Sequence, residues 1–123
     1  MNAERSALIA VVDDDPSVLK ALLRLFRSSG FKARGFASGE EFLTTLPFHR
    51  YDCLVLDLRM PGMSGVEVQQ DIEFIKAGIA TIVITAHDEM DSRLKCLSAG
   101  AVAYLTKPFD DEVLLQAVMD SIN

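Results

Sequence analysis

Ala7-Leu8-Ile9-Ala10-Val11-Val12-Asp13-Asp14-Asp15-Pro16 decides the architecture. Six apolar residues run without alternation, which predicts a strand buried on both faces, as in a parallel sheet covered by helices. Three acids then end the run. Asp15 is placed to cap a helix that has Pro16 in its first turn. Val18, Leu19, Leu22, Leu23 and Phe26 fall on one stripe of that helix, and Gly30 closes it.

The same alternation continues along the chain. Lys32 to Phe36 predicts a second strand, and its Lys32 and Arg34 suit an outer position. Ser38-Gly39-Glu40-Glu41 has the pattern of a capping box, opening a short helix through Leu46 that Pro47 stops. Cys53-Leu54-Val55-Leu56 is a third strand ending on Asp57. Met60-Pro61-Gly62-Met63-Ser64-Gly65 is a turn-rich loop. Val68, Ile72 and Ile75 mark a helix closed by Gly78. Thr81 to Thr85 is a fourth strand. Met90, Leu94 and Leu97 mark a helix ended by Gly100, and Val102 to Thr106 is the fifth strand. Asp110-Asp111-Glu112 charges the start of a last helix favourably for its dipole. Its inner stripe is read as Val113, Leu114, Ala117 and Val118. Five strands alternate with five helices, and the connections are short. That predicts an α/β domain with an open, doubly wound, parallel sheet.

Bulk properties narrow the function. The 123 residues fit one domain, expected to fill 1–123, with residues 1–6 flexible. Half the residues are apolar, enough for a core without staples. The net charge of −6 argues against direct nucleic-acid contact, which needs clustered Lys and Arg. It suits a cation site, although acidity alone also serves solubility. Cys53 and Cys96 lack metal spacing and sit in apolar contexts, so they are read as buried, reduced thiols. Met1 to Ser6 lacks a signal-peptide layout, and no stretch approaches membrane-spanning length. A cytoplasmic protein without membrane contact is expected.

Ligands of open parallel sheets bind beyond the carboxyl ends of the strands. Asp13, Asp14 and Asp15 follow strand one, Asp57 follows strand three, Thr85 ends strand four, and Lys107-Pro108 follows strand five. Like charges that close raise each other's pKa, and a hard divalent cation relieves them. Two carboxylates and a backbone carbonyl just past Asp57 provide suitable oxygens for Mg²⁺. Asp57 is then placed to attack phosphorus as a carboxylate nucleophile, with Lys107 as a second positive charge and Thr85 as a hydroxyl donor. Ala86 leaves room for the incoming group.

Four segments carry a family resemblance: Val11-Val12-Asp13-Asp14, Leu56 to Gly65, Ile84-Thr85-Ala86 and Lys107-Pro108-Phe109. In this order and spacing, from about Leu8 to Ile122, the chain resembles a receiver domain of two-component response regulators. The resemblance implies a flavodoxin-like (βα)5 fold with strand order 2-1-3-4-5. It implies Asp57 as phosphoacceptor, Asp14 and Asp57 as direct ligands of Mg²⁺ or Mn²⁺, Asp13 as a ligand through water, and the Arg59 backbone carbonyl as a further ligand. Thr85 and Lys107 match the hydroxyl and lysine that engage phosphate. Tyr104 matches the aromatic that turns inward when Thr85 moves, and the Lys107-Pro108 bond is implied to be cis. A sensor histidine kinase is the implied donor. The face of the fourth expected helix, fifth strand and fifth expected helix is the implied output, including a phosphorylation-linked homodimer. Arg59 to Gly65, His87 and Gly100-Ala101-Val102 resemble the nitrogen-fixation type, whose members carry a helix-turn-helix output domain. The chain stops after its last helix, so an excised receiver or a single-domain regulator is expected.

Plainer accounts exist for several residues. Asp13 to Asp15 alone reads as a solvated turn and cap; only its match with Asp57 and Lys107 lifts it above that. Thr106 is an ordinary strand threonine. Tyr104 also fits a half-buried strand tyrosine. His87 and His49 read as loop and surface residues, and Met60 and Met63 as loop packing. Lys20, Arg24 and Arg27 lie on the outer face of the first helix, a candidate kinase-docking surface. A haloacid-dehalogenase-type phosphatase needs a second acid two residues after its nucleophile, where this chain has Arg59. An FMN binder needs a phosphate cradle after strand one, where three aspartates repel phosphate. A degenerate receiver acting only as a binding surface lacks some of these groups, and here all are present.

Overall fold

In the computed structural model, which describes residues 6–122, the first apolar run becomes strand β1 (Leu8–Val12). Residues 1–5 of the segment expected to be flexible lie outside the described residues. Helix α1 (Pro16–Ser28) follows, then β2 (Lys32–Phe36), α2 (Gly39–Leu43), β3 (Cys53–Asp57), α3 (Gly65–Gln70), α4 (Ile72–Ala77), β4 (Ala80–Thr85), α5 (Met90–Ser98), β5 (Ala103–Thr106) and α6 (Asp111–Ile122). All pairings are parallel and the sheet order is β2-β1-β3-β4-β5, as expected.

Strands that bury both faces need apolar residues at every position. Ile9, Val11, Val55, Ile82 and Ile84 face one layer, filled by Leu22 and Phe26 of α1 and Leu114 and Val118 of α6. Ala10, Val12, Leu54 and Leu56 face the other, filled by Phe42, Val68 and Phe74. Phe42 is fully buried, and its ring centroid lies 5.7, 5.5 and 6.2 Å from those of Phe36, Tyr51 and Phe74. The outer strand β2 exposes Lys32 and half-buries Arg34.

Four expectations about helices need correction. The helix expected from Val68 to Gly78 is two, α3 and α4, because Asp71 leaves helical geometry (φ −66°, ψ 134°). Its carboxylate accepts from Glu73 N and Phe74 N, so it caps α4 instead of continuing α3. The break turns the second segment: Phe74 is buried, while Ile72 and Ile75 are 66% and 62% exposed. In α5, Cys96 is buried and Met90, Leu94 and Leu97 lie outward. In α6, Val113 points outward too. Finally, α2 ends at Leu43, short of Leu46, and its capping box is half made. Ser38 Oγ accepts from Glu41 N, but the Glu41 carboxylate takes the Ser38 hydroxyl and leaves the backbone N–H unpaired with it. The complete capping box is Ser64 with Glu67.

The loop from β3 to α3 folds back on its own strand. Gly65 N donates to Leu58 O at 2.9 Å. A Cβ on Gly65 would lie 2.9 Å from Asp57 O and 3.0 Å from Leu58 Cα, backbone atoms that cannot turn aside. Gly65→Ala is therefore expected to cost about 1–3 kcal/mol of stability. Urea unfolding checks this; a midpoint equal to the parent's would contradict the close approach.

Candidate functional site

Each chemistry-bearing residue sits at or just past a strand end, and the sheet's hydrogen bonding extends to it. Asp13 N donates to Phe36 O at 3.1 Å, Leu58 N to Ile84 O at 2.9 Å, and Lys107 N to Thr85 O at 2.7 Å. Each bond adds a rung beyond the strands and draws residues distant in sequence to one edge. Asp15 serves as the cap of α1, accepting from Ser17 N and Val18 N.

Asp13, Asp14 and Asp57 each offer a carboxylate oxygen, and these lie within 4.8 Å of one another. Asp13 and Asp57 are buried, whereas Asp14 opens to solvent. Lys107 Nζ lies 3.0 Å from Asp13 Oδ2 and 3.6 Å from Asp57 Oδ1. Asp13 Oδ1 also accepts from Asp15 N. The Lys107-Pro108 peptide bond is cis.

Burial, and then the Asp13 charge, push the Asp57 carboxyl up to about 7; Lys107 opposes the shift and Asp14 adds to it. The sign for stability follows. Between 3.8, its ordinary value, and about 7, the folded chain holds a proton that the unfolded chain has lost. Stability of the metal-free protein therefore falls as pH rises through that window, on the order of 2–4 kcal/mol, and levels off above it. Added Mg²⁺ should oppose the fall by favouring the ionised site. Denaturant titrations from pH 4 to 8, with chelator and with Mg²⁺, measure it. Stability rising with pH in the chelated protein would sink this account.

Thr85 is fully buried. Its hydroxyl accepts from His87 N at 3.0 Å and donates to His87 O at 3.2 Å. Tyr104 pairs with Val83 across the sheet, is 8% exposed, and its buried hydroxyl has no hydrogen-bond partner among the described residues. The Arg93 guanidinium lies 5.5 Å from its ring centroid. Burial, with Asp88 nearby, raises the Tyr104 pKa. The ring is thus already inward while the Thr85 hydroxyl is engaged with the His87 backbone.

The Arg59 side chain forms an ion pair with Glu89 beside the N-terminus of α5. Sequence reasoning missed that pair, since nothing local links positions thirty residues apart. It also missed the need for glycine at Gly65. It passed over the Ser64–Glu67 box, whose S-x-x-E spacing was visible.

A family model described as Response regulator receiver domain matches residues 9–119. The chain belongs to the response regulator receiver family. Response regulator protein TodT of Pseudomonas putida is 40% identical over 116 residues, covering 94% of this chain and 51% of that protein. Transcriptional regulatory protein FixJ of Rhizobium meliloti is 39% identical over 110 residues, covering 89% and 54%. The crystal structure titled FIXJ-N superposes with a TM-score of 0.88 at 36% identity, covering 96% of this chain and 94% of that one. The expected likeness to nitrogen-fixation regulators is borne out by the FixJ match. This receiver domain spans about half the length of these two curated relatives. The family's role is that of a phosphoacceptor signalling switch. Among the described residues no helix is long and apolar enough to cross a membrane.

Proposed function

We propose that Asp57 is the phosphoacceptor of this receiver domain and that a histidine kinase is its donor. Support comes chiefly from one observation: a buried carboxylate at a strand end, beside two more acids and one ammonium. The Asp57 oxygen forms a bond to phosphorus while the donor's P–N bond breaks, and the electron pair leaves with the imidazole nitrogen. Lys107 holds positive charge near that oxygen. Thr85 provides a hydroxyl for a phosphoryl oxygen once it leaves His87.

The acid cluster fits a hard divalent cation. It offers only oxygen donors, and burial, with the neighbouring carboxylates adding to it, raises the Asp57 pKa. Asp14 and Asp57 would hold Mg²⁺ or Mn²⁺ directly, Asp13 through water, and Arg59 through its backbone carbonyl. The cation supplies charge neutralisation for the phosphoryl oxygens.

The chain is taken as a single receiver domain, a view supported by the family match over residues 9–119. Chemistry stops at the acyl phosphate and its slow hydrolysis, so the domain acts as a switch and not as a turnover enzyme. Thr85, on leaving His87, passes the change to the face of α5, β5 and α6, with the Tyr104 ring already seated inward, shifting a population between existing states. That face is the proposed site of a phosphorylation-linked homodimer. The exposed Met90, Leu94, Leu97 and Val113 give it apolar surface. A cytoplasmic location accompanies this role. Incubation with acetyl phosphate and Mg²⁺ should add one phosphoryl group by intact mass. Chelation should abolish the gain; a gain that survives chelation overturns the metal requirement.

A further inference from the structure

Helix α5 is lightly fastened. Only Cys96 among its residues is buried, and its N-cap, Glu89, makes no side-chain cap bond. Against that background one contact stands out. Gln69, at the inner face of α3, is 2% exposed, and its Nε2 donates to Cys96 O at 3.0 Å. The Cys96 carbonyl lies in the last turn of α5, where carbonyls lose their helical partners. It also accepts from Ala101 N at 3.0 Å. Gln69 therefore caps the end of a neighbouring helix. A buried amide that serves only packing is costly, because each unpaired polar atom forfeits its solvation. Gln69 accepts that cost, since its Oε1 is buried with no partner among the described residues.

The other end of α3 rests on the acceptor strand. Gly65 N bonds Leu58 O, one residue past Asp57, and the Ser64–Glu67 box fixes the first turn. At six residues, α3 is short, and it is bonded to Leu58 at its start and to the Cys96 carbonyl near its end. We propose that Gln69 is a positioning residue, a strap that holds α5 in its unphosphorylated place and sets how much phosphoryl binding at Asp57 must do to move it. This rests on the phosphoacceptor role given above and adds a second route, through α3, beside that of Thr85 and Tyr104. A contact that holds the resting arrangement lowers affinity for whatever favours the other one. Linkage makes the effect reciprocal.

Gln69→Met keeps the length and apolar stem and removes the amide. Two measurements on the intact chain test the strap. Amide hydrogen exchange without ligand should quicken about tenfold in α5 and stay unchanged in β1 and β3. Binding of beryllofluoride with Mg²⁺, a stable mimic of the phosphoryl group, should tighten about five- to tenfold, within the usual span of coupling between sites. Gln69→Glu puts a carboxylate against the Cys96 carbonyl and should loosen α5 at least as much. Unchanged α5 exchange in both variants overturns the strap. Faster α5 exchange with unchanged or weaker beryllofluoride binding shows a purely structural cap and overturns the coupling. A parent chain that fails to bind beryllofluoride removes the phosphoacceptor role itself, and the coupling falls with it. Variants that do not fold show loss of protection in β1 and β3 as well, and are replaced by Gln69→Leu.

Discussion

Asp57→Asn takes up no phosphoryl group from acetyl phosphate and Mg²⁺, while the parent gains one. The amide has the size of the carboxylate but lacks the anionic oxygen that attacks phosphorus. No other acid in the cluster is placed to replace it: Asp13 is held by Lys107 and by Asp15 N, and Asp14 lies out in solvent. Loss of fold is not the cause, because the substitution removes a buried charge that its neighbours oppose. Metal-free Asp57→Asn is expected to match or exceed the parent's stability at pH 8, and to lose the parent's decline between pH 4 and 7. Intact mass and urea unfolding read both results. A phosphorylated Asp57→Asn protein would move the acceptor elsewhere.

Lys107→Ala slows phosphorylation on the order of 10²–10³-fold, the usual effect of removing one preorganised charge from a transition state. The ammonium bridges the two buried acids at 3.0 and 3.6 Å, and the side chain that carries it is 21% exposed. Nothing else among the described ion pairs reaches Asp57. Removing it also leaves the acid cluster more negative, so Mg²⁺ binding should hold or tighten while the rate collapses. Calorimetry for Mg²⁺ and a time course of acetyl phosphate labelling separate these effects. Equal losses in both would indicate a general collapse of the site, and an unchanged rate would remove Lys107 from the chemistry.

The sheet was legible because its strands are buried on both faces, so apolar runs announce them. The site was legible because its acids, hydroxyl and ammonium follow those runs directly. The resemblance supplied the strand order, which alternation alone leaves open. Helix faces read poorly. Met90, Leu94 and Leu97 recur at helical spacing, yet α5 buries Cys96 instead, because apolar side chains on an exposed helix face mimic a core stripe. The stripe through Val68, Ile72 and Ile75 failed at Asp71, where a local side-chain bond to the backbone outcompeted helix continuation. Gln69 carried no signal at all. A glutamine in a helix is ordinary until the neighbouring helix end is seen above it.

The rungs at Asp13, Leu58 and Lys107 have one more effect. They pin the backbone on both sides of the crowded acids, so the carboxylates are denied the simplest remedy, which is to drift apart. What remains is to capture positive charge, whether proton, metal ion or ammonium. A backbone held at these rungs thus turns crowding into an appetite for cations.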